Sequence, residues 1–290
     1  MHKLSLVLLL TAPTFAATCE SLNGLALKGG SVTLAQTVAA GQFAPAQGNA
    51  NAFKTLPAFC RVAATLKPTA DSDIKIEVWL PIAGWNNSLQ SVGNGAWAGS
   101  IAYPAMATAL AAGFATASTD TGHVGGAGDF MIGHPEKLVD FGYRAVHEMT
   151  VAAKATIAGY YGKAPSKSYW NGCSTGGRQA FMEAQKYPED YDGILAGAPA
   201  IYASHLQAMQ VWAWTMSHPQ GNATLPVAKL PAIHKAALEA CDAADGVKDG
   251  VIENPLKCKF DPASIECKGA ESDACLTAAQ LKAVSNFYEP

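Results

Sequence analysis

The residues best equipped for chemistry lie in one short run, Tyr169-Trp170-Asn171-Gly172-Cys173-Ser174-Thr175-Gly176-Gly177-Arg178. Within it, Gly172, Ser174 and Gly176 have the spacing of a nucleophile elbow. There the serine occupies a tight, strained turn between a strand and a helix, which pushes its hydroxyl out toward a substrate. Side chains two residues to either side would collide with neighbouring backbone, so both positions need glycine. The chemistry this permits is attack of Ser174 on a carbonyl carbon to give an acyl-enzyme, with the oxyanion held by backbone N–H groups. Thr175, directly after the serine, offers one such N–H. A second is expected from a loop between an earlier strand and the next helix, where Gly93-Asn94-Gly95 is found. Gly95 is favoured, with Gly93 and Asn94 as alternatives, because small residues let the backbone approach a substrate carbonyl.

A serine nucleophile also needs a base and an acid to orient it, and in this arrangement both follow the serine along the chain. The histidines after Ser174 are His205, His218 and His234. None follows a convincing late strand, and His234 sits in an alanine-rich helical pattern that reads as surface. His123 and His147 precede the serine, and His147, in a long helical pattern, reads as a packing or hydrogen-bonding residue. The catalytic acid and histidine are therefore expected beyond Pro290, which would leave these residues alone without hydrolytic activity. A helical pattern opening at Leu276-Thr277-Ala278-Ala279-Gln280 has only just reached Phe287-Tyr288 at the last residue, so the chain reads as truncated.

The elements that must position Ser174 follow from hydrophobic periodicity. Ile74, Ile76, Val78 and Leu80 alternate as a strand closed by Pro81. Leu89 to Val92 is a short strand running into Gly93-Asn94-Gly95, Ile101 to Ala112 a helix ended by Gly113, and Phe114 to Ser118 the next buried strand. After a glycine-rich loop, Asp140 is expected to cap a helix reaching Tyr161, with Phe141, Val146, Met149, Ala153 and Ile157 along one side. Lys167 to Asn171 is a strand, Gly176 to Tyr187 a helix, and Ile194-Leu195-Ala196 a last strand. This alternation implies a parallel sheet covered on both faces. With the elbow between a strand and a helix, the expected fold is an α/β-hydrolase. Near Tyr202 the pattern changes to Trp212, Trp214, an alanine-rich helix, an acidic loop and clustered cysteines. The expected organisation is a signal peptide at 1–16, the front part of the catalytic domain at 17–201, and the beginning of an inserted lid domain at 202–290.

Composition narrows the setting. The basic His2-Lys3 start, the apolar run Leu4 to Leu10 and the small residues Thr14-Phe15-Ala16-Ala17 read as a secretory signal, placing the protein outside the cell or in a periplasm. No segment is long and apolar enough to span a bilayer. Losing Lys3 with the signal takes the formal charge from -3 to -4, a mildly acidic balance without a basic tract, so nucleic acid and anionic membrane are poor partners. With 49% hydrophobic and 15% charged residues, the 290-residue chain can bury a large core. Oligomeric state leaves no mark in the sequence.

Seven cysteines in an exported chain point to disulfides with one left over. Cys19 with Cys60, Cys241 with Cys258, and Cys267 with Cys275 are plausible bridges, though six cysteines allow about fifteen pairings. That scheme leaves Cys173 unpaired. Between Cys241 and Cys258, three carboxylates are spaced around two glycines, a loop of hard oxygen donors suited to calcium. Asp242, Asp245 and Asp249 would give carboxylates, and Val247 and Val251 carbonyl oxygens, in a structural rather than catalytic site. A bridge closing the loop would contribute about 3 kcal/mol.

Four runs in order carry a resemblance: Ser118-Thr119-Asp120-Thr121-Gly122-His123, Phe141-Gly142-Tyr143-Arg144-Ala145-Val146-His147-Glu148, Asn171 to Gln179, and Gly197-Ala198-Pro199-Ala200. Together they closely resemble the tannase and feruloyl esterase family across nearly the whole mature chain. The resemblance implies a serine carboxylic-ester hydrolase of α/β-hydrolase fold with a large lid holding calcium, which the Asp242 to Val251 loop matches in position. It implies phenolic ester substrates such as feruloyl and galloyl esters. Trp212 and Trp214 are read equally as residues that stack on an aromatic acid or as core residues near the base of the lid. It also implies a disulfide from the cysteine before the serine, here Cys173, to a cysteine beside the catalytic histidine. Rival readings are a serine hydrolase of other esters or amides, and a non-catalytic relative that binds phenolics or carbohydrate.

Overall fold

A computed structural model describes residues 17–46, 48–218 and 225–288. The expected signal peptide, 1–16, lies outside the described residues. The chain divides into two compact units, Met1–Ile201 and Tyr202–Pro290.

The first unit is built on an eight-stranded sheet. Its strands are β1 (Ala26–Leu27), β2 (Gly30–Val38), β3 (Phe59–Leu66), β4 (Ile74–Pro81), β5 (Ser88–Val92), β6 (Ala115–Thr119), β7 (Lys167–Cys173) and β8 (Gly193–Gly197). They lie in the order β1-β2-β3-β4-β6-β5-β7-β8. The expectation of a parallel sheet holds only for β6-β5-β7-β8. From β1 to β4, and where β4 meets β6, the pairing is antiparallel. A parallel pair needs a crossover of roughly a dozen residues or more, so the short turns from β1 to β2 and from β3 to β4 require antiparallel pairing there.

The sheet is covered on both faces. Ile74, Ile76, Val78 and Leu80 of β4 face one way, into a core shared with Leu89, Ala115, Trp170 and the helical residues Val146, Met149, Ala153 and Ile157. Trp79 faces the other way, into a core with Phe43, Phe53, Phe59, Val92 and the helical residues Met106 and Leu110. β4 is therefore buried on both sides, and even its polar Glu77 is inside, accepting hydrogen bonds from Arg61, Trp79 and Tyr103. The helices of this unit are α1 (Tyr103–Ala111), α2 (Pro135–Val139), α3 (Ala145–Tyr161) and α4 (Thr175–Lys186).

Asp140 does not cap the long helix. Helical backbone begins at Pro135, and Asp140–Arg144 forms a π-helical turn joining α2 to α3. Pro135 suits a first helical position because its missing N–H would have no partner there. Asp140 is fully buried and pairs with Arg144 one turn on, Nε to Oδ1 at 2.6 Å. Gly162, at φ 71°, ends α3 in the left-handed conformation that glycine adopts without cost.

The second unit contains α5 (Ala203–Ser217), α6 (Leu230–Cys241) and α7 (Ala278–Tyr288). Its small core gathers Ile233, Cys241, Phe260, Leu276 and Val284. The Lys229 ammonium is buried and satisfied by the carbonyls of Ser272 and Cys275 and by Glu271. Disulfides compensate for the limited core: Cys241 is bonded to Cys258 and Cys267 to Cys275, while Cys19 is bonded to Cys60 in the first unit. Cys173 is a free, exposed thiol. No helix among the described residues is long and apolar enough to cross a membrane.

Candidate active site

Ser174 stands between the end of β7 and the start of α4 with φ 61° and ψ -116°, a backbone region that side chains avoid. Such conformations cost of order 1–3 kcal/mol and persist only where the surroundings impose them. Here the Ser174 N–H donates to Gly197 O at 3.0 Å, and its carbonyl accepts from Arg178 N and Ala200 N, both at 3.0 Å. The neighbouring glycines leave no alternative. A Cβ on Gly172 would lie 2.4 Å from Gly176 O, one on Gly93 2.5 Å from Gly176 Cα, and one on Gly177 2.4 Å from Gly197 O. The side chain of Ser174 is left exposed at the N-terminus of α4, where the helix dipole favours negative charge.

The loop after β5 approaches this elbow through Asn94. Its carbonyl accepts from Gly176 N at 2.8 Å, and its side chain donates to Ser100 O and Thr119 O. Gln179 closes the arrangement: its Oε1 accepts from Asn94 N and its Nε2 donates to Asn94 Oδ1. The N–H of Gly93 is also committed, to Asn171 O at 3.1 Å. Two of the three candidate oxyanion donors in Gly93-Asn94-Gly95 are thus occupied. The N–H groups of Gly95, Ala96 and Thr175 have no acceptor among the described residues.

Ala96 has no counterpart in the sequence reading. Ala98 N donates to Gly95 O at 2.9 Å, closing a turn over Gly95-Ala96-Trp97-Ala98 with Ala96 at φ 46°. Turns of this hand normally take glycine at that position, and a non-glycine residue there costs roughly 1–2 kcal/mol. Thr175 supports the turn through its hydroxyl, which donates to Ala96 O at 2.8 Å. The elbow and the loop facing it are therefore tied at two points, Gly176 to Asn94 and Thr175 to Ala96.

Arg178 is held in an unusual way. Its Nη1 and Nη2 donate to Gly142 O at 2.8 Å and Phe141 O at 3.1 Å, and its guanidinium lies 4.9 Å from the Phe141 ring centre. Both carbonyls belong to the π-helical turn, where the wider helical bonding leaves oxygens available. Burial pushes the Arg178 pKa down. Farther along α4, Glu183 is fully buried with neither oxygen hydrogen-bonded, and burial together with the neighbouring Asp190 pushes its pKa up to about 9. Asp190 accepts from His147 Nδ1 at 2.6 Å. His147 is thus a hydrogen-bonding residue on α3, while in the same unit His123 bonds to Trp97 O and Thr121 and His134 to Asp71. Among the described residues none of the three is hydrogen-bonded to Ser174.

In the second unit, the acidic loop following α6 is shaped by its own carboxylates. Asp242 Oδ1 accepts from Asp249 N and Gly250 N, Asp245 Oδ1 from Val247 N, and Asp249 Oδ1 from Val251 N. Each aspartate spends one oxygen on the turn and keeps the other available, and the Cys241–Cys258 bridge brackets the segment with Cα atoms 5.3 Å apart. The donors thus have the chemistry of a calcium loop. No three His, Cys, Asp or Glu side chains among the described residues stand together as a ready metal cluster, so a cation would have to draw these oxygens inward. Trp212 and Trp214 on α5 are partly exposed rather than core residues.

Residues 60–290 match the family model described as tannase and feruloyl esterase. The chain is 43% identical over 279 residues to an uncharacterised esterase of Xanthomonas campestris pv. campestris, a match covering 96% of this chain and 48% of that protein. It is 41% identical over 233 residues to a protein described as probable feruloyl esterase B-2 of Aspergillus terreus, covering 80% of this chain and 44% of that one. Among solved structures, feruloyl esterase B from Aspergillus oryzae superposes with a TM-score of 0.78 at 33% identity, covering 92% of this chain and 54% of that one. The chain spans about half the length of the curated relatives it matches. Its strained serine elbow and facing loop sit in a sheet of the kind these esterases share, and the chain belongs to the tannase and feruloyl esterase family.

Proposed function

We propose that the protein is an exported serine esterase that hydrolyses phenolic esters, feruloyl or galloyl, through an acyl-enzyme on Ser174. The observation that carries this reading is the strained, exposed Ser174 on an elbow tied to the loop after β5, where the N–H groups of Thr175, Gly95 and Ala96 have no acceptor among the described residues. Family membership, and the similarity to proteins described as feruloyl esterases, support the phenolic acyl group. In the proposed reaction Ser174 Oγ attacks the ester carbonyl as its proton passes to a histidine. The N–H of Thr175, with that of Gly95 or Ala96, holds the oxyanion, the alcohol departs, and water releases the acid. The histidine and its carboxylate partner are proposed to come from the region of the full-length protein that matches the rest of its relatives. Cys173 would pair there with a cysteine beside that histidine, fixing base and nucleophile together.

The second unit is proposed as part of a lid stabilised by calcium, held by carboxylates of Asp242, Asp245 and Asp249 and carbonyls of Val247 and Val251. Bound there, the ion would supply structural charge neutralisation and no chemistry at the ester. The test of the esterase reading is Ser174→Ala in the full-length protein. Turnover of methyl ferulate and methyl gallate should fall by several orders of magnitude in a protein of unchanged fold. Near-wild-type turnover would exclude Ser174 as the nucleophile.

A further inference from the structure

We infer that His123 is a positioning residue for the oxyanion hole, locking the strained Gly95 to Ala98 turn through a hydrogen bond to Trp97 O. The inference rests on the reading of Ser174 as the nucleophile. The two central carbonyls of the turn are each held by a side chain from elsewhere: Ala96 O by the Thr175 hydroxyl at 2.8 Å, and Trp97 O by His123 Nε2 at 2.7 Å. A carbonyl oxygen only accepts, so Nε2 carries the proton. The held carbonyls belong to the Ala96–Trp97 and Trp97–Ala98 peptide units, and a rotation of either is taken up at the strained Ala96 and carried to the adjoining Gly95–Ala96 unit, whose N–H then swings. Thr175 restrains the side of the turn toward the elbow. His123 restrains the far side.

His123 is itself immobilised. The residue is 5% exposed, and its ring stacks on Phe130 with centres 3.7 Å apart and meets Phe141 edge-on at 5.7 Å. The Trp97 ring stacks on the same Phe141 at 5.1 Å, so histidine and turn share one wall. The Thr121 oxygen stands 3.2 Å from Nδ1, and Thr121 has φ 59°, a conformation that a β-branched residue avoids. Thr119 Oγ1 imposes it by accepting Thr121 N–H at 3.0 Å. Gly99 completes the fit: a Cβ there would lie 2.4 Å from His123 O and 2.6 Å from its Cδ2, and Gly99 N donates to Gly125 O at 2.7 Å.

The experiment compares variants of the full-length protein. His123→Phe keeps an aromatic ring against Phe130 and removes the donor, whereas His123→Gln puts an amide N–H near the position of Nε2. His123→Phe should lower kcat on methyl ferulate by roughly 10- to 100-fold, less than the loss of a whole donor, with KM little changed. His123→Gln should restore most of it. Adding Ala96→Gly to His123→Phe should recover part of the loss, since glycine holds the turn unaided, a rescue that a merely structural histidine would not show. Independently of activity, amide hydrogen exchange over Gly95 to Ala98 should accelerate in His123→Phe and slow again in His123→Gln. Unchanged kcat and exchange in His123→Phe would overturn the inference, as would a folded His123→Gln no better than it. Should His123→Phe fail to fold, His123→Asn replaces it. Its shorter amide mimics Nδ1 and falls short of Trp97, so Asn and Gln variants alike in kcat and exchange would also overturn the role. If the wild-type protein hydrolyses no ester, the reading of Ser174 fails, and the exchange measurement alone decides the role of His123.

Discussion

Three glycines, Gly93, Gly172 and Gly176, decide whether Ser174 can be presented at all. A Cβ on Gly172 or Gly93 would lie 2.4 or 2.5 Å from Gly176 and one on Gly176 3.1 Å from Gly93 Cα, whereas a Cβ on Gly95 would find nothing within 4 Å. Gly172→Ala should therefore displace the elbow and lower kcat/KM by at least about 100-fold, the effect of a misplacement near 1 Å, with a reduced Tm. Gly95→Ala should leave Tm unchanged. Equal Tm values for the two variants would show that the packing around the elbow is looser than these contacts require. Much at this scale was legible in the sequence: Gly172, Ser174 and Gly176 announce themselves by spacing, because the elbow is a local structure. Sequence could not choose among Gly93, Asn94 and Gly95, since the choice depends on long-range bonds to Asn171 and Gln179. Ala96 was missed for the same reason. Nothing about an alanine signals positive φ; the Ala98 to Gly95 bond closes the turn around it, and the hydroxyl of Thr175 and the imidazole of His123 hold its carbonyls.

Helix α4 links the nucleophile to a buried charge system. Its Glu183 carboxyl holds a proton in the folded protein up to about pH 9 and would lose it near pH 4.5 when unfolded. A carboxyl whose folded pKa is raised contributes stability fully below the unfolded pKa and loses it as pH rises through the folded one. Asp120, raised by burial from 3.8 to about 7, acts in the same direction over a narrower window. The fall in Tm between pH 5 and pH 9 should consequently be shallower in Glu183→Gln than in wild type, with the residual slope left to Asp120. Parallel profiles would mean that Glu183 titrates normally. Among the elements, β4 to β8, α3 and α4 were readable because their apolar residues recur with a clean period. The antiparallel half was not. β2 fully buries only Ala35 and Val38, and a register shift between Val32 and Leu34 breaks its alternation, while a βα rhythm read from the middle of the chain says nothing of strands joined by short turns. The start of α3 was misread because Asp140 resembles a cap in sequence. Its partner Arg144 instead draws it inside a π-helical turn, and that turn supplies the carbonyls on which Arg178 rests.

Across the whole molecule, the first unit carries a two-sided core around its sheet, while the second relies on two disulfides and a small cluster. Calcium should matter most to that second unit. Chelation is expected to lower the Tm of the calcium-loaded protein, since an ion bound only to the folded state stabilises it by mass action. Asp245→Ala should abolish both the bound calcium and the response to chelator. If that variant keeps its metal content and its melting behaviour, the loop is an acidic turn and nothing more. The three aspartates are legible in the sequence because they lie in one short loop, whereas the turn that each forms through its own carboxylate oxygen is seen only in the structure. The proposed catalytic centre would join Ser174 to a histidine and a carboxylate outside residues 1–290. Reaction of the full-length protein with a fluorophosphonate, followed by mass mapping of the modified peptide, tests the nucleophile. A single stoichiometric adduct is expected on Ser174, absent from Ser174→Ala; an esterase that remains unlabelled, or carries its adduct on another residue, would rule Ser174 out as the nucleophile.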